Sequence, residues 1–272
     1  MVVKHEKICR HLTEILTVTL TEPQPDSAPL FPALPNIKGI LFDYGGTIDS
    51  NGKHWAEVCW DAYTAHSVPV TKEQFREAYV YAERYLAQYP VIEPHDNFLI
   101  LLRKKMQMQL KYLIDKGFLP DNDKSSQNFI AISNQCYNFA RSISEEAKPV
   151  IAALSTRYPL VLVSNFYGNI REILRDFELI QYFDEIIESA IVGIRKPNPA
   201  IFALGVETLG LSSGEVAVIG DAYSKDIVPA KKIGCHTIWL KGIGWDDKEE
   251  TGTASADVII SNFVELKVLF DL

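Results

Sequence analysis

Short runs of Val, Ile and Leu recur along the chain from Lys38 onward, and each is bounded by Gly, Pro, Asn or Asp. The runs are GILFDY, PLVLVSN, EVAVIGD, CHTIWL and ADVIIS. Their apolar residues are continuous rather than alternating, which is typical of strands covered on both faces of a parallel sheet. The sequence therefore predicts a buried parallel sheet.

Helical patterns separate these runs. The segment NIREILRDFEL begins at Asn169, a favoured N-cap residue, and carries its apolar residues on one face. The segment PNPAIFALGVETLG opens with prolines and stops at Gly210, the usual asymmetry of a helix start and end. The segment SKDIVPAKKIG also ends on a glycine. Strands that alternate with helices predict a Rossmann-like, doubly wound α/β core.

Residues 51–150 interrupt this alternation, because they contain no run typical of a strand. Instead they contain the helical segments TKEQFREAYVYAERYLAQ, NFLILLRKKMQMQLKYLIDKG and SQNFIAISNQCYNFARSI. We therefore predict an all-helical domain inserted directly after the first strand. The α/β core then comprises residues 37–50 and 151–272.

The N-terminal region, residues 1–36, has a different character. Ile8, Leu12, Ile15 and Leu16 have the spacing of one helical face. The segment EPQPDSAPLFPALP follows, and its five prolines block both helix and sheet hydrogen bonding. We predict a short helix on an extended connector. Such an arrangement would allow exchange between subunits, and hence a homo-oligomer through this segment.

Charge and cysteine content restrict the partners and the compartment. The formal net charge of −8 argues against a general affinity for nucleic acid or for anionic membranes. The four cysteines are scattered without a CxxC pair, which fits a reducing cytosol better than a disulfide framework or zinc site. No run approaches the roughly 18 apolar residues of a spanning helix. We expect a cytoplasmic protein with no nucleic-acid or membrane partner.

Polar clusters stand at the ends of several predicted strands. They are Asp43-Tyr44-Gly45-Gly46-Thr47, Ser164-Asn165, Lys196 after a short apolar segment, and Gly220-Asp221 with Asp226. In an open parallel sheet, ligands bind outside the carboxyl ends of the strands. The four clusters are therefore expected to converge on one site.

The chemistry of these clusters suits a phosphorylated ligand and a hard cation. Asp43 and Asp221 would hold Mg²⁺, which prefers carboxylate oxygens. Thr47, Ser164 and Lys196 would bind phosphoryl oxygens, and the lysine would offset charge as it develops. A carboxylate that is not consumed by metal binding would be free to attack phosphorus and form an acyl phosphate.

Together the clusters resemble the motifs of the haloacid dehalogenase-like (HAD) hydrolase superfamily. ILFDYGGT is similar to the first motif, Asp-x-Asp-Gly-Thr, VLVSN to the second, GIRKPNPAIF to the third and VIGDAYSKDIVPAKKIG to the fourth. The four occur in the family's order, and the resemblance covers about residues 37–272. Residues 51–150 are similar to the family's helical cap of the C1 type, which closes over the site and chooses the substrate.

The resemblance implies a role for each motif residue. Asp43 would be the nucleophile and a Mg²⁺ ligand, together with the backbone carbonyl of Gly45 and with Asp221. Asp226 would bind the ion or orient its waters. The residues implied for binding a small phosphorylated substrate are Thr47, Ser164, Asn165 and Lys196, of which Lys196 is also catalytic.

Gly45 departs from the family's first motif. The family's phosphatases have an aspartate there that protonates the leaving alcohol and later activates water, and such proton transfer contributes about 10²–10⁴-fold. The resemblance therefore implies an atypical Mg²⁺-dependent hydrolase that forms an aspartyl-phosphate, either on a good leaving group or with a substitute acid. Asp49 and His54 are the nearest substitutes. However, Asp49 fits the family's flap aspartate, standing one residue early, and His54 is expected on a solvated turn.

Two alternatives stay open. One is a phosphonate or carbon–halogen hydrolase. The family's dehalogenases have a tyrosine at position 45 and need no metal, whereas this chain keeps the acidic cluster. Phosphonoacetaldehyde hydrolases use a cap lysine, but no lysine lies between Lys72 and Lys104, and Lys53 is the nearest alternative. The other is a non-catalytic protein that binds Mg²⁺ and a phosphorylated ligand, although the retained motif residues exceed what binding needs.

Overall fold

A sheet of six parallel strands forms the centre of the described part of the chain, which comprises residues 31–32, 34–244 and 256–272 of the computed structural model. The strands are β1 (Gly39–Phe42), β2 (Leu160–Ser164), β3 (Glu185–Glu188), β4 (Val216–Gly220), β5 (His236–Leu240) and β6 (Val258–Ile260). Their order is β3-β2-β1-β4-β5-β6. The predicted N-terminal helix, and the connector apart from residues 31–32 and 34–36, lie outside the described residues.

The central strand β1 explains why the apolar runs are continuous. It pairs with β2 on one side and with β4 on the other, and all its residues are buried. Leu41 packs with Phe202 in a cluster on one face. Phe42 contacts the rings of Phe183 and Phe263 at centroid distances of 6.2 and 5.9 Å. Each of the five predicted runs is a strand, and β3, which was not predicted, lies at the sheet edge with Glu185 exposed.

Four helices between β1 and β2 form the cap. They are α1 (Trp55–Ala65), α2 (Lys72–Gln88), α3 (Phe98–Asp115) and α4 (Asp123–Ser155). Helix α2 begins with a capping box between Thr71 and Gln74, and α3 follows the N-cap Asn97. Tyr63 packs edge-on against Phe75 inside the cap at 4.8 Å. Helix α4 is 33 residues long and runs continuously through the predicted boundary at residue 150.

Shorter helices cover the sheet. They are α5 (Ile170–Asp176), α6 (Ser189–Val192), α7 (Ala200–Leu209), α8 (Val228–Lys232) and α9 (Leu266–Leu269). Helix α5 starts after Asn169, and α7 ends at Gly210 with φ of 64°, as predicted. The segment SKDIVPAKKIG differs from the prediction, because a π-helical turn, Tyr223–Ile227, precedes α8. None of the helices in the described ranges has the length and apolar content needed to cross a bilayer.

Several side chains join the cap to the core. The Asn169 side-chain amide donates a hydrogen bond of 2.8 Å to the Asp96 carbonyl in the cap. The ring of Phe98 at the start of α3 packs edge-on against Phe177 in the core, with centroids 5.6 Å apart. The Tyr137 hydroxyl on α4 donates to the Asp176 carboxylate at 3.1 Å. The cap is thus held over the carboxyl ends of the strands.

Candidate active site

The carboxyl ends of three neighbouring strands bring the predicted site residues together. Asp43 follows β1, Ser164 ends β2 and Asp221 follows β4, and these strands are adjacent in the sheet. With Lys196 and Asp226, these residues line one cavity of about 460 Å³ beneath the cap. The predicted convergence on one edge of the sheet is therefore observed.

Asp43 is held by two side chains. The Lys196 ammonium lies 2.6 Å from Asp43 Oδ1 and 2.7 Å from Asp226 Oδ1, so that it bridges two buried carboxylates. The Thr47 hydroxyl lies 3.0 Å from Asp43 Oδ2 and accepts a hydrogen bond of 3.0 Å from the Asp221 backbone N–H. Burial lowers the pKa of Lys196, but Asp226 and Asp43 outweigh it and raise that pKa above its ordinary value. Lys196 is therefore a fixed ammonium beside Asp43.

The acidic cluster carries more negative than positive charge. Ligand oxygens of Asp43, Asp221 and Asp226 lie within 4.8 Å of one another, with one ammonium among them. Burial raises the pKa of Asp226 to about 6, against the opposing effect of Lys196. Burial and the repulsion of Asp43 and Asp226 also raise the pKa of Asp221. Crowded, desolvated carboxylates of this kind fit a hard divalent cation such as Mg²⁺.

Two glycines make room for this cluster. Gly46 has φ of +101°, and a Cβ there would lie 2.3 Å from Asp221 Oδ2. A Cβ on Gly220 would lie 2.5 Å from the Cβ of Asp226. Either addition would push a carboxylate out of place. Gly45 is different: it lines the cavity, and a Cβ there would meet nothing within 4 Å.

Ser164 and Asn165 have different surroundings. Both line the cavity, and their contact with substrate stays a prediction. The Asn165 side-chain amide also donates to the Lys196 carbonyl at 3.1 Å and accepts from the Lys196 N–H at 2.9 Å. Asn165 therefore anchors the segment that carries Lys196.

The two sequence-predicted substitutes for an acid at position 45 both line the cavity. Asp49 is buried and accepts hydrogen bonds from the Gly46 N–H at 2.8 Å and from Trp55 Nε1 at 2.9 Å, and burial raises its pKa to about 7. The prediction of a solvated turn for His54 is wrong. Its Nδ1 accepts from the Ala56 N–H at the start of α1, and burial lowers its pKa to about 4. His54 is therefore neutral at pH 7.

On the cap side, the cavity contains a charged pair that the motifs did not indicate. Lys105 on α3 forms an ion pair with Glu83 on α2, and the Tyr167 hydroxyl from the core donates to the same carboxylate at 2.7 Å. Lys105 lies four residues after Leu101, on the buried face of α3. A lysine on the apolar face of a helix is the sequence signal that could have identified it.

Comparison with known proteins agrees with this arrangement. A glyceraldehyde 3-phosphate phosphatase of Pyrococcus abyssi is 28% identical over 212 residues, which cover 75% of this chain and 82% of that protein. A phosphoglycolate phosphatase of Photorhabdus laumondii is 25% identical over 235 residues, covering 86% of this chain and 92% of that protein. The structure of L-2-haloacid dehalogenase from Xanthobacter autotrophicus matches with a TM-score of 0.54 and 17% identity, over 86% of this chain and 98% of that chain.

The dehalogenase match shows the fold alone, because unrelated reactions share this architecture. The model of the haloacid dehalogenase-like hydrolase family matches residues 37–234 of this chain. This range contains the six motif side chains on the carboxyl edge of the sheet, which are Asp43, Thr47, Ser164, Lys196, Asp221 and Asp226. The Pyrococcus abyssi and Photorhabdus laumondii relatives, which match over 82% and 92% of their length, are both phosphatases. This chain is therefore an enzyme that belongs to the haloacid dehalogenase-like hydrolase family.

Proposed function

We propose that this enzyme is a Mg²⁺-dependent phosphohydrolase that acts on a small phosphorylated metabolite through an aspartyl-phosphate on Asp43. The observation that carries the proposal is the environment of the Asp43 carboxylate. One of its oxygens is held by Lys196 at 2.6 Å, and the other lies 3.0 Å from the Thr47 hydroxyl. A carboxylate oriented in this way at the base of a cavity is suited to nucleophilic attack.

In the first step, an Asp43 oxygen forms a bond to phosphorus while the bond between phosphorus and the leaving oxygen breaks. Lys196 offsets negative charge on the phosphoryl oxygens, and Ser164 donates a hydrogen bond to them. Thr47 is buried and does not line the cavity, so its hydroxyl keeps its hydrogen bond to Asp43. Water then attacks the aspartyl-phosphate, which releases inorganic phosphate and restores the Asp43 carboxylate. In the first step an alkoxide leaving oxygen takes up one proton from water, whereas a carboxylate leaving group needs none. In the second step the attacking water releases one proton to solvent.

The residues that would hold Mg²⁺ are Asp43, Asp221, Asp226 and the backbone carbonyl of Gly45. When bound, the ion would neutralise the crowded carboxylates and charge on the phosphoryl group. The Lys196 ammonium lies between Asp43 and Asp226, so that it balances the negative charge of both carboxylates before substrate binds.

The electrostatics of the cavity support an anionic substrate despite the net charge of −8. Five acidic and five basic side chains line the cavity. Three of the basic ones, Arg84, Arg195 and Lys225, are exposed at its rim, whereas the acidic ones of the cluster lie deeper. A basic rim attracts an anion, and a divalent cation below it would complement a phosphate dianion.

The size of the cavity and the similarity to phosphatases support a small phosphate ester as substrate. A volume of about 460 Å³ lies within the usual range for small-molecule sites. The phosphatases reported above act, by their names, on glyceraldehyde 3-phosphate and on phosphoglycolate. Gly45 provides no acid for the leaving oxygen, so we expect good leaving groups to react faster than alkoxides.

The cavity is less consistent with phosphonate cleavage through a Schiff base than with the proposed phosphate hydrolysis. The lysine that lies on its cap side is Lys105, and Lys53 instead pairs with Asp61. Burial lowers the pKa of Lys105, but Glu83 outweighs that effect and raises the pKa above its ordinary value. A protonated amine is not a nucleophile. Lys105 is therefore better suited to binding than to covalent catalysis.

We further propose that the enzyme works in the cytoplasm. Cys59, Cys136 and Cys235 are free and buried, as expected in a reducing compartment. A homo-oligomer through residues 1–36 stays a prediction.

The test is phosphate release from a panel of phosphate esters and acyl phosphates, with and without Mg²⁺. We expect Mg²⁺-dependent release that EDTA abolishes and that Asp43→Asn reduces to the background rate. Asp61→Asn, which changes an exposed acid of the cap, is the matched control and should retain activity. Release that persists in Asp43→Asn would exclude Asp43 as the nucleophile. Binding of phosphate and Mg²⁺ without release from any compound would favour the non-catalytic alternative.

A further inference from the structure

Lys105 and Glu83 form an ion pair, buried at the lysine and half-buried at the glutamate, for which the proposed chemistry at Asp43 has no use. The Lys105 side chain is 8% exposed and that of Glu83 is 31% exposed. Taking such charges out of water is costly, and a buried ion pair often contributes little net stability. Both residues line the cavity that contains Asp43. Their position points to a ligand rather than to the folding of the cap alone.

The pair presents a donor beside an acceptor. An ammonium has three N–H donors, and the one ion pair with Glu83 does not require all three. The faces of Tyr79 and Tyr167 flank this ammonium, with ring centroids 5.5 and 5.9 Å from Nζ. Glu83 Oε2 accepts from the Tyr167 hydroxyl at 2.7 Å, which fixes the carboxylate from the core side. The pair is thus held on the cap side of the cavity that Asp43 also lines.

We propose that Lys105 and Glu83 form a subsite that binds a hydroxyl group on the leaving group of the substrate. This inference rests on the proposed phosphohydrolase function and names its substrate class, the phosphate monoesters of small polyols. A hydroxyl oxygen accepts a hydrogen bond from Lys105, and its proton is donated to Glu83. One substrate group then satisfies both members of the pair.

A carboxylate suits this position less well. Glu83 already neutralises Lys105, so that a carboxylate would place a second anion beside Glu83 with one buried cation between them. Desolvated like charges at this distance oppose each other strongly. The subsite therefore selects against phosphorylated carboxylic acids. A leaving group without any polar oxygen would cover the donors of Lys105 without giving them a partner, which is also unfavourable.

The effect should be measurable as selectivity. Hydrogen bonds to charged groups contribute about 1.5–3 kcal/mol, which corresponds to about 10–100-fold in kcat/KM. Glycerol 3-phosphate and propyl phosphate have the same carbon chain and differ in the hydroxyls. We expect the wild-type enzyme to prefer glycerol 3-phosphate over propyl phosphate by about 10–100-fold. We also expect 3-phosphoglycerate, which has a carboxylate in place of the terminal hydroxymethyl group, to be a poorer substrate than glycerol 3-phosphate.

The decisive variant is the double substitution Lys105→Met with Glu83→Gln. Removing both charges avoids leaving one of them unpaired in the cap, which is the costly outcome for a single change. The preference for glycerol 3-phosphate over propyl phosphate, measured as the ratio of kcat/KM values, should fall to within about threefold. Lys111→Met removes an exposed lysine from the same helix and is the matched control. It should leave both values unchanged.

Glu83→Gln alone provides a second readout. It leaves the Lys105 ammonium without its counter-charge. The ratio of kcat/KM for 3-phosphoglycerate to kcat/KM for glycerol 3-phosphate should therefore rise about tenfold. A purely structural ion pair would instead lower the melting temperature and reduce kcat/KM for all three esters equally. That uniform loss, or an unchanged preference in the double variant, would overturn the subsite.

Failure of the proposed function gives a different result, namely no Mg²⁺-dependent release from any of the three esters. In that case the subsite is tested by calorimetric binding of glycerol 3-phosphate and propyl phosphate to the wild-type and double-variant proteins in Mg²⁺. Tighter binding of glycerol 3-phosphate to the wild type alone would support the subsite. Equal binding of the two esters to the wild type would overturn it.

Discussion

Replacement of Gly45 by aspartate should restore a proton donor that the first motif lacks. A Cβ at this position would meet nothing within 4 Å, and the Gly45 backbone lies outside the left-handed region that favours glycine. The side chain should therefore be accommodated without displacing Asp43 or Asp221. Their negative charges would raise the pKa of the introduced carboxyl, which keeps more of it in the proton-donating form.

The size of the effect follows from the open surroundings of Gly45. Positioned general acids contribute about 10²–10⁴-fold, and the upper values need a carboxyl group that neighbouring atoms hold in place. No described atom lies within 4 Å of the Cβ position, so nothing close to the backbone would fix the new carboxyl. We therefore expect Gly45→Asp to increase the rate of the first chemical step about 100-fold for an alkyl phosphate, which corresponds to a barrier lower by about 2.7 kcal/mol. Acyl phosphates should gain less than about threefold, because their leaving group departs without a proton.

The assay must isolate the first chemical step. Both substrates form the same aspartyl-phosphate, and faster hydrolysis of this intermediate would raise both turnover rates equally. Release of the leaving group is therefore followed in a single turnover, with enzyme in excess over propyl phosphate or acetyl phosphate in saturating Mg²⁺. Gly45→Asn has nearly the same shape without the acid and is the control for steric effects. Equal acceleration of both substrates in the first step, or equal acceleration by Gly45→Asn, would refute the reasoning.

Two further predictions concern pH and positioning. Burial lowers the pKa of His54 to about 4, so the stability that this neutral imidazole contributes is complete above its unfolded pKa of about 6.5 and is lost as the pH falls toward 4. We therefore expect the stability of His54→Asn, which keeps an N-cap acceptor, to rise relative to that of the wild type as the pH is lowered from 7.5 to 5. The relative gain in the free energy of unfolding should be about 2 kcal/mol, or about 4–8 °C in Tm, as measured by calorimetry. A constant Tm difference would contradict this. Asn165→Ala should lower kcat about tenfold with little change in KM, because its amide holds the Lys196 backbone. Steady-state kinetics would measure both constants. A rise in KM instead would contradict a role of Asn165 in positioning Lys196 and would support a direct contact with substrate.

The strands, and the position of the motif residues at the carboxyl edge of the sheet, were predictable because their sequence signals are local. Buried parallel strands require continuous apolar residues, and the polar residue that ends each strand reaches the shared edge without further information. The strand β3 was missed because DEIIES has a short apolar centre, and Glu185 is exposed at the sheet edge. Its pairing with β2 comes from the rest of the sheet rather than from its own sequence.

The cap side of the cavity was less predictable, because it depends on contacts between distant segments. Lys105 and Glu83 meet through the packing of α3 on α2, and Tyr167 joins them from the core. His54 is half-buried because it lines the cavity beneath the cap, whereas its neighbours in sequence are typical of a turn. The space around Gly45 is likewise a property of the folded site. Such features depend on tertiary structure, and local propensity cannot report them.

The unbroken course of α4 has a consequence for protein engineering. Its 33 residues correspond to about 50 Å of helix, which begins in the cap, contains Pro149 near its end and stops at Ser155, shortly before β2 in the sequence. A chimaera that exchanges caps between relatives at residue 150 would place its junction within the last two turns of this helix, directly after Pro149. Side chains from two different parents would then have to pack along one helix. Joining the chains at Thr156, where the helix ends, and at Lys53, before α1, would transfer the cap as an intact cassette.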